Sequence, residues 1–224
     1  VVLRSHTEGR VWATAVRPDV VYGQRDRQFV PRMARLIGGF AVPLLRGGRS
    51  TMAIVHLISG LPCSGKTTYS RALQADLKAV LFSLDRWLIT AFERYSIADV
   101  GYPEHVRRVL ACRTLTWDVA ADFLARGIDV ILDDGFFYRE HRMRVAEEAR
   151  RLGAAVRIHH LDAPLDVLQS RLEDRNAHLP QFNFLIEPTT LASFVDMYER
   201  PSADEGAEVI VIRDTADAVA RLER

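Results

Sequence analysis

The stretch of this sequence that most constrains its fold is GLPCSGKTT, which runs from Gly60 to Thr68. It fits the pattern G-x-x-x-x-G-K-[ST], in which backbone N–H groups surround a chain of phosphates. The apolar, β-branched run before it, residues 53–59, predicts a strand, and apolar side chains spaced by four within residues 69–77 predict a helix. Because the loop lies between a strand and a helix, the sequence favours a phosphate-binding loop over a chance glycine turn.

Each position of this loop has a physical role. Gly60 and Gly65 allow the backbone to turn tightly and to approach phosphate oxygens without a Cβ atom in the way. We expect the Lys66 ammonium to reach the β- and γ-phosphates of ATP, and the Thr67 hydroxyl to bind Mg²⁺. The predicted nucleotide-binding residues are Gly60, Leu61, Pro62, Cys63, Ser64, Gly65, Lys66, Thr67 and Thr68. No motif that reads the base is identifiable, so GTP stays open as the donor.

Strand and helix patterns alternate after the loop. Long helical patterns cover residues 103–124 and 138–152, each followed by a glycine that favours a helix end. Five strands that alternate with helices predict an α/β fold of three layers, with a parallel sheet and right-handed crossovers. The predicted strands are residues 53–59, 79–85, 129–134, 155–162 and 208–212.

The composition excludes several classes of protein. The 224 residues carry a net charge of +1, so no overall electric field favours a nucleic-acid partner. There are only two cysteines, Cys63 and Cys112, so a disulfide framework is not expected. No apolar run approaches the roughly 18 residues of a membrane span, and the first residues do not resemble a signal peptide. We therefore expect a cytoplasmic protein without a membrane partner.

Three acidic residues follow predicted strands, where open α/β sheets bind their ligands. Asp133 and Asp134 come after the third strand, and either would hold Mg²⁺ beside Thr67, with Asp133 the first choice. A plain turn is the alternative for this pair. Asp85 comes after the second strand and would accept the proton of an attacking hydroxyl. Its alternative role is to cap the helix that follows.

Basic residues would neutralise the charge on a transferred phosphoryl group. Arg171 and Arg175 are four residues apart and share a helix face, as expected for a lid that closes over phosphates, although a solvated face is the alternative. Arg139 and Arg142 are further phosphate or substrate contacts or, equally, ordinary ion-pair partners. We expect the aromatic residues after the second strand, Trp87 and Phe92, to lie in the core, with the wall of an acceptor pocket as the alternative.

Taken together, these motifs resemble a family of small P-loop kinase-like ATP-binding proteins, similar to chloramphenicol phosphotransferases, zeta toxins and the kinase domain of polynucleotide kinases. The resemblance covers residues 53–224 and implies a sheet of order 2-3-1-4-5 with a lid helix. It also implies ATP·Mg²⁺ as the donor, Asp85 as the general base and Arg171 and Arg175 as lid arginines. Several relatives carry an arginine a few residues after this acid; here Arg86 follows at once and Arg94 is the next.

The segment of residues 15–39 resembles a strand and loop of extended short-chain dehydrogenases/reductases of the nucleotide-sugar epimerase kind. The chain lacks the G-x-G-x-x-G loop and the Tyr-x-x-x-Lys pair which that chemistry requires, since its only lysines are Lys66 and Lys78. Our hypothesis is that residues 1–51 are a reductase remnant joined to a kinase-like domain over residues 52–224, with Met52 as the natural start. The alternative is a genuine extension that packs on the domain.

These observations predict a phosphotransferase that moves the γ-phosphate of ATP to a hydroxyl of a small molecule. A nucleotide-dependent switch or ATPase that acts through a partner is the main alternative, and it does not need Asp85. A toxin-like kinase of a nucleotide sugar is a second alternative. Phosphorylation of nucleic-acid ends is a third, and the near-zero net charge speaks against it.

Overall fold

The computed structural model describes residues 52–223, which form a five-stranded parallel sheet of order β2-β3-β1-β4-β5. This arrangement confirms the predicted α/β fold and strand order. Residues 1–51, with the reductase-like segment, lie outside the described residues. The strands are β1 (Ile54–Ser59), β2 (Val80–Ser83), β3 (Val130–Gly135), β4 (Ala155–Leu161) and β5 (Glu208–Ile212).

Helices connect the strands. The two long predicted helices are present as α4 and α5, the helix offered as the alternative after the second strand is α2, and the helices α3, α7 and α8 are additional. The helices are α1 (Lys66–Leu77), α2 (Leu84–Phe92), α3 (Ile97–Val100), α4 (Tyr102–Leu124), α5 (Arg139–Arg151), α6 (Leu165–Ala177), α7 (Pro188–Met197) and α8 (Thr215–Leu222), with a 3₁₀ turn at Ala203–Glu205. Within residues 52–223, no helix is both long and apolar enough to cross a membrane.

Strand β2 is shorter than the sequence pattern predicts. It ends at Ser83, and Asp85 lies in the first turn of α2 instead of at the end of the strand. The reason is a helical spacing of apolar side chains, since Trp87, Leu88 and Ala91 are all buried on one face of α2. A carboxylate in a first helical turn is also favoured by the helix dipole. Ser83 occupies the N-cap position, so Asp85 is not the cap.

The core lies on both faces of the sheet. Alternating side chains of β1 pack in opposite directions: Val55 and Leu57 join the cluster under α4 and α5, and Ile58 joins the cluster under α1 and α8. Trp87 is buried in the first cluster, which confirms its prediction as core, and Phe92 packs against it partly buried. The central strand is thus covered on both sides, as parallel strands require.

A buried hydrogen-bonded chain ties the helix after the phosphate loop to the sheet. Tyr69 Oη lies 2.9 Å from His159 Nδ1, and His159 Nε2 lies 2.9 Å from His56 Nδ1. Burial lowers the pKa of His56 to about 4 and that of His159 to about 3, so both rings are neutral near pH 7. These two hydrogen bonds fix α1 against β4 and β4 against β1.

Arginines 139 and 142 are bound in ion pairs. The Arg142 side chain is fully buried, and its Nε and Nη2 donate to the two carboxylate oxygens of Glu205, each over 2.7 Å. Arg139 forms a two-pronged pair with Asp204, with both distances 2.9 Å. These contacts join α5 to the 3₁₀ turn. A substrate contact is excluded for Arg142, because its side chain has no exposed surface.

We expect Glu205→Gln to destabilise the fold strongly, because it leaves the Arg142 charge buried without a carboxylate. Breaking a buried pair in this way costs about 3–5 kcal/mol. The matched control is Glu208→Gln, which breaks the exposed pair with Arg157 and costs under about 1 kcal/mol. Urea unfolding of the three proteins measures both changes. Equal losses in the two variants would contradict a structural role for the buried pair.

Candidate active site

The phosphate loop has a backbone that only glycine fits at two positions. Gly60 has φ 153° and Gly65 has φ 95°. A Cβ atom on Gly60 would lie 2.8 Å from Ser64 Oγ and 2.9 Å from the Leu161 carbonyl oxygen. On Gly65 it would lie 2.7 Å from Thr215 Oγ1. Both glycines are therefore required by close packing as well as by backbone conformation.

The loop leads into a helix end that is free to bind an anion. Gly65 caps α1 without a side-chain hydrogen bond, and the first helical bond runs from Tyr69 N–H to Gly65 O over 3.0 Å. The N–H groups before Tyr69 therefore have no intrahelical acceptor, and the helix dipole favours negative charge at the same place. The buried Ser64 Oγ also has no partner among the described residues. This geometry fits a chain of phosphates.

Lys66 and Thr67 lie at the start of α1, facing the end of β3. Lys66 Nζ donates to the Leu61 carbonyl oxygen over 2.7 Å, so the ammonium is held inside the loop. Burial lowers the pKa of Lys66, while the charges of Asp133 and Asp85 oppose that shift. The lysine is thus half-buried and lies near two carboxylates. Phosphate oxygens would offer it stronger acceptors than a backbone carbonyl.

Thr67 and Asp133 form a pair of oxygen donors suited to Mg²⁺. Thr67 Oγ1 donates to Asp133 Oδ2 over 3.0 Å. Burial raises the pKa of Asp133, and the nearby Lys66 opposes this rise. In residues 52–223, no group of three or more His, Cys, Asp and Glu side chains is arranged to hold a metal alone. A hydroxyl and one carboxylate beside a phosphate site nonetheless fit Mg²⁺, which takes its other ligands from phosphates and water.

Asp134 is directed away from this pair. Both of its carboxylate oxygens accept hydrogen bonds from Arg113 on α4, over 2.6 and 2.7 Å. The two hydrogen bonds from Arg113 occupy both carboxylate oxygens, which would otherwise be available to a metal ion. Of the two acids that the sequence offers for Mg²⁺, we therefore propose Asp133 alone. The Arg113–Asp134 pair had no signal in the sequence, because it depends on how α4 packs on the sheet.

Asp85 lies in the same cleft as a separate carboxylate. Its pKa is raised to about 6, first because the surrounding protein displaces water and then because Asp133 is close, while Lys66 opposes the rise. Asp85 is exposed to solvent, as a group that meets a substrate must be. Among the described residues none donates a hydrogen bond to its carboxylate. Asp85 is therefore free to accept a proton.

Helix α6 places the two arginines that the sequence predicts as a lid near the phosphate loop. Arg171 Nη1 donates to the Cys63 carbonyl oxygen over 3.4 Å, and Arg175 Nη2 donates to the Phe184 carbonyl oxygen over 3.4 Å. Burial raises the pKa of the Cys63 thiol, and the positive charges of Arg175, Lys66 and Arg171 oppose that rise. Three cations thus converge on one loop. Neither arginine has a carboxylate within salt-bridge distance in the part of the chain that the structure describes.

The loop between α6 and α7, residues 178–187, docks on the side of the cleft that carries Asp85. Arg94 Nη2 donates to the carbonyl oxygens of Pro180 and Gln181, each over 2.8 Å. The Arg86 guanidinium lies 5.3 Å from the centre of the Phe182 ring, and the Tyr95 and Phe184 ring centres are 5.2 Å apart. Since the loop directly follows the helix of Arg171 and Arg175, these contacts join the end of that helix to the segment that follows Asp85.

We expect Arg94→Ala to release this loop. An exposed pair of charged hydrogen bonds is worth about 1 kcal/mol or more, so the open loop should become several times more populated. Chymotrypsin cleavage after Phe182 and Phe184, followed by mass spectrometry, measures the opening. Arg126→Ala is the control, because Arg126 is also exposed and bonds only within its own helix region. Unchanged cleavage at these two sites would show that Arg94 does not hold the loop.

The structure adds residues to the site that the sequence did not indicate. Thr215, at the start of α8, donates from Oγ1 to the Ser64 carbonyl oxygen over 3.0 Å and supports the phosphate loop from behind. Tyr198 Oη lies 2.8 Å from Ser59 Oγ at the end of β1. The only local signal was Asp214, whose side chain accepts from the N–H groups of Ala216 and Asp217 and so marks a helix start.

Comparison with known proteins places this site in a family. A family model described as an AAA domain matches residues 55–201, about two thirds of the chain. The chain belongs to this AAA domain family. The match starts at residue 55, so it lends no support to the reductase resemblance of residues 15–39. No curated protein matches the chain in sequence.

Solved structures share the fold of this AAA domain. A candidate kinase from Chloroflexus aurantiacus has a TM-score of 0.62 and 17% identity, covering 77% of this chain and 98% of its own. Chaetomium thermophilum Kti12, solved with ADP-AlF3, has a TM-score of 0.54 and 18% identity, covering 75% and 97%. A sugar kinase from Janibacter sp. has a TM-score of 0.52 and 16% identity, covering 76% and 92%. At these identities the likeness shows a P-loop kinase-like fold.

Proposed function

We propose that this protein is an ATP-dependent phosphotransferase that moves the γ-phosphate of ATP to a hydroxyl group of a small molecule. The observation that carries the proposal is a second carboxylate, Asp85, in the cleft of the phosphate loop. Asp133 already accepts a hydrogen bond from Thr67, whereas Asp85 accepts none from the described residues and has an elevated pKa of about 6. A nucleotide-dependent switch requires the first carboxylate only. The kinase names of two similarly folded proteins support the same choice.

The donor would be bound mainly by the loop itself. The free N–H groups at the start of α1 are suited to the phosphates, and the unpartnered Ser64 Oγ adds one hydroxyl. Lys66 would exchange the Leu61 carbonyl oxygen for phosphate oxygens. Thr67 and Asp133 would hold Mg²⁺, which neutralises phosphate charge when it is bound.

The acceptor would react at Asp85. The carboxylate takes the proton of the acceptor hydroxyl as its oxygen forms a bond to the γ-phosphorus. The bond between that phosphorus and the bridging oxygen of ADP breaks, and ADP leaves with the electron pair. The products are a phosphate monoester, ADP and a proton on Asp85. Positioning and charge stabilisation suffice for this step, so no covalent enzyme intermediate is required.

The lid would complete the site. Arg171 and Arg175 approach the loop from α6 and would stabilise charge on the transferred group. The 178–187 loop, bonded to Arg94 after the helix of Asp85, would limit the entry of water once it closes over the cleft. Exclusion of water matters because water is the competing acceptor of the phosphoryl group.

The test is the release of ADP in the presence of acceptor panels. Purified protein with ATP and Mg²⁺ is given sugars, polyols, nucleosides, nucleotide sugars, antibiotics or 5′-hydroxyl oligonucleotides, and ADP is followed with a coupled enzyme assay. We expect one chemical class to accelerate ADP release well above the rate without acceptor. Stimulation by nucleotide sugars alone would assign the toxin-like acceptor. A constant slow rate with every class would contradict a phosphotransferase and favour the switch.

A further inference from the structure

The 178–187 loop is bonded at its second half to the end of α6, besides its contacts with the segment that follows α2. Asn176 Nδ2 donates to the Ile186 carbonyl oxygen over 2.8 Å. Arg175 Nη2 donates to the Phe184 carbonyl oxygen over 3.4 Å. The second bond is longer than the usual range of about 2.7–3.2 Å, so it is the weaker of the two. We call the bond from Arg175 to the Phe184 carbonyl oxygen the Phe184 latch.

The Phe184 latch uses the edge of the guanidinium that binds acid groups best. Nε and Nη2 of an arginine point in the same direction and together bind two oxygens of one acid group. Arg113 and Arg142 hold their carboxylate partners through these two nitrogens, over 2.6 or 2.7 Å. In Arg175, Nη2 bonds to a neutral carbonyl instead, and the buried Nε has no partner within residues 52–223. One long bond therefore occupies an edge that is suited to an anion.

The Arg175 charge acts on the donor side and on the acceptor side of the site. It opposes the rise in pKa that the displacement of water causes at the Cys63 thiol and at the Asp85 carboxyl. Burial also lowers the pKa of Lys66, and the Arg175 charge adds to that shift. Since Cys63 and Lys66 belong to the phosphate loop, the terminal phosphate of a nucleotide bound there would lie within the range of the Arg175 charge.

A phosphate and the Phe184 carbonyl group would compete for Arg175. A phosphate that accepts from both Nε and Nη2 would place an oxygen where the Phe184 carbonyl oxygen now lies. Hydrogen bonds between a guanidinium and an anion are shorter and stronger than those to a neutral acceptor. The bond to the carbonyl is long, and the phosphate would also satisfy Nε. The phosphate is therefore expected to displace the carbonyl.

We propose that the Phe184 latch holds the 178–187 loop in a resting position, and that the terminal phosphate of a bound nucleotide releases the loop by taking the Nε–Nη2 edge of Arg175. The inference rests on the proposed phosphotransferase function, in its nucleotide-binding part, and adds control of the loop by the nucleotide. The Phe184 ring centre lies 5.2 Å from that of Tyr95, in the segment that follows the helix of Asp85. Release at Phe184 frees the loop to move over the cleft.

The first experiment measures release of the loop by nucleotide. Chymotrypsin cleavage after Phe184 is followed by mass spectrometry, with Mg²⁺ and saturating AMP-PNP, a non-hydrolysable analogue of ATP, and equilibrium dialysis measures the binding. We expect AMP-PNP to accelerate cleavage by about threefold or more, the effect of losing one modest hydrogen bond. AMP, which lacks the terminal phosphates, should leave the cleavage rate unchanged.

The outcomes separate the Phe184 latch from the proposed function. Unchanged or slower cleavage with AMP-PNP bound would overturn the latch and leave the phosphotransferase in place. Equal acceleration by AMP would show that the terminal phosphate is not the trigger, and would also overturn the latch alone. Absence of AMP-PNP binding would overturn the nucleotide site of the proposed function and, with it, this inference.

The second experiment tests the latch without nucleotide. Arg175→Met keeps much of the length of the side chain and removes its nitrogens, so cleavage after Phe184 should rise by about threefold or more. Arg171→Met is the matched control, because Arg171 lies one turn earlier on the same helix and bonds to the phosphate loop instead of the 178–187 loop. Its cleavage rate should equal that of the unchanged protein. An equal rise in both variants, or no rise with Arg175→Met, would overturn the proposal.

Discussion

Replacing Lys66 with alanine is expected to lower the rate of phosphoryl transfer by about 10²–10³-fold, the usual cost of removing one preorganised electrostatic group. Lys66 is half-buried, and its Nζ is held 2.7 Å from the Leu61 carbonyl oxygen of the phosphate loop. It has no other described hydrogen-bond partner that would give it a purely structural role. Phosphates bound to the loop would lose their closest cation. Steady-state kinetics with saturating ATP measure the loss.

The control for this variant is Lys78→Ala. Lys78 is the C-cap of the same helix α1, at the end away from the phosphate loop. Its substitution therefore removes the same charge from the protein without changing the site. Transfer rates within twofold of the unchanged protein are expected. A Lys66→Ala protein that is folded and retains full activity would contradict the assignment of the loop.

Replacing Asp85 with asparagine is expected to reduce transfer to the acceptor by about 10²–10⁴-fold, the contribution of a positioned general base. The change keeps the size of the side chain, and no hydrogen bond to the carboxylate is lost. Binding of ATP should be nearly unaffected, because Thr67, Lys66 and Asp133 are unchanged. Acceptor-dependent kcat, measured beside the KM for ATP, separates these effects. Equal kcat in the two proteins would remove Asp85 from the chemistry.

The pH dependence of transfer follows from the elevated pKa of Asp85. A general base must be deprotonated, so kcat/KM should fall about tenfold per pH unit below about pH 6 and be constant above it. The terminal phosphate of ATP also titrates near this range. Asp85→Asn isolates the contribution of the base, since its profile contains the phosphate titration alone. Identical profiles in the two proteins would contradict the assignment.

The parts of the site that sequence predicts are those encoded in short stretches. The phosphate loop from Gly60 to Thr68, the preceding strand and the following helix were all readable from local spacing. The order of the sheet came from a family resemblance, and the structure confirms it. The predicted end of β2, at residue 85, was wrong, because the spacing of the apolar residues Trp87, Leu88 and Ala91 favours a helix that starts before Asp85.

The parts that sequence does not reveal depend on long-range packing. Arg113 reaches Asp134 across 21 residues, and Thr215 reaches the Ser64 carbonyl across 151. Neither pair has a local pattern, since each exists only when a helix docks on the sheet. The contact of Arg94 with the 178–187 loop is of the same kind. Local periodicity therefore predicts the phosphate loop better than the contacts around Asp85.

The fate of the γ-phosphate tests the central proposal most directly. The protein is incubated with ATP, Mg²⁺ and the pooled acceptors of all the classes named above, and ³¹P NMR follows the phosphorus. We predict a new phosphate monoester signal that grows as ATP becomes ADP and is absent with Asp85→Asn. The appearance of inorganic phosphate alone, at the same rate in both proteins, would contradict transfer to a hydroxyl and identify the protein as an ATPase.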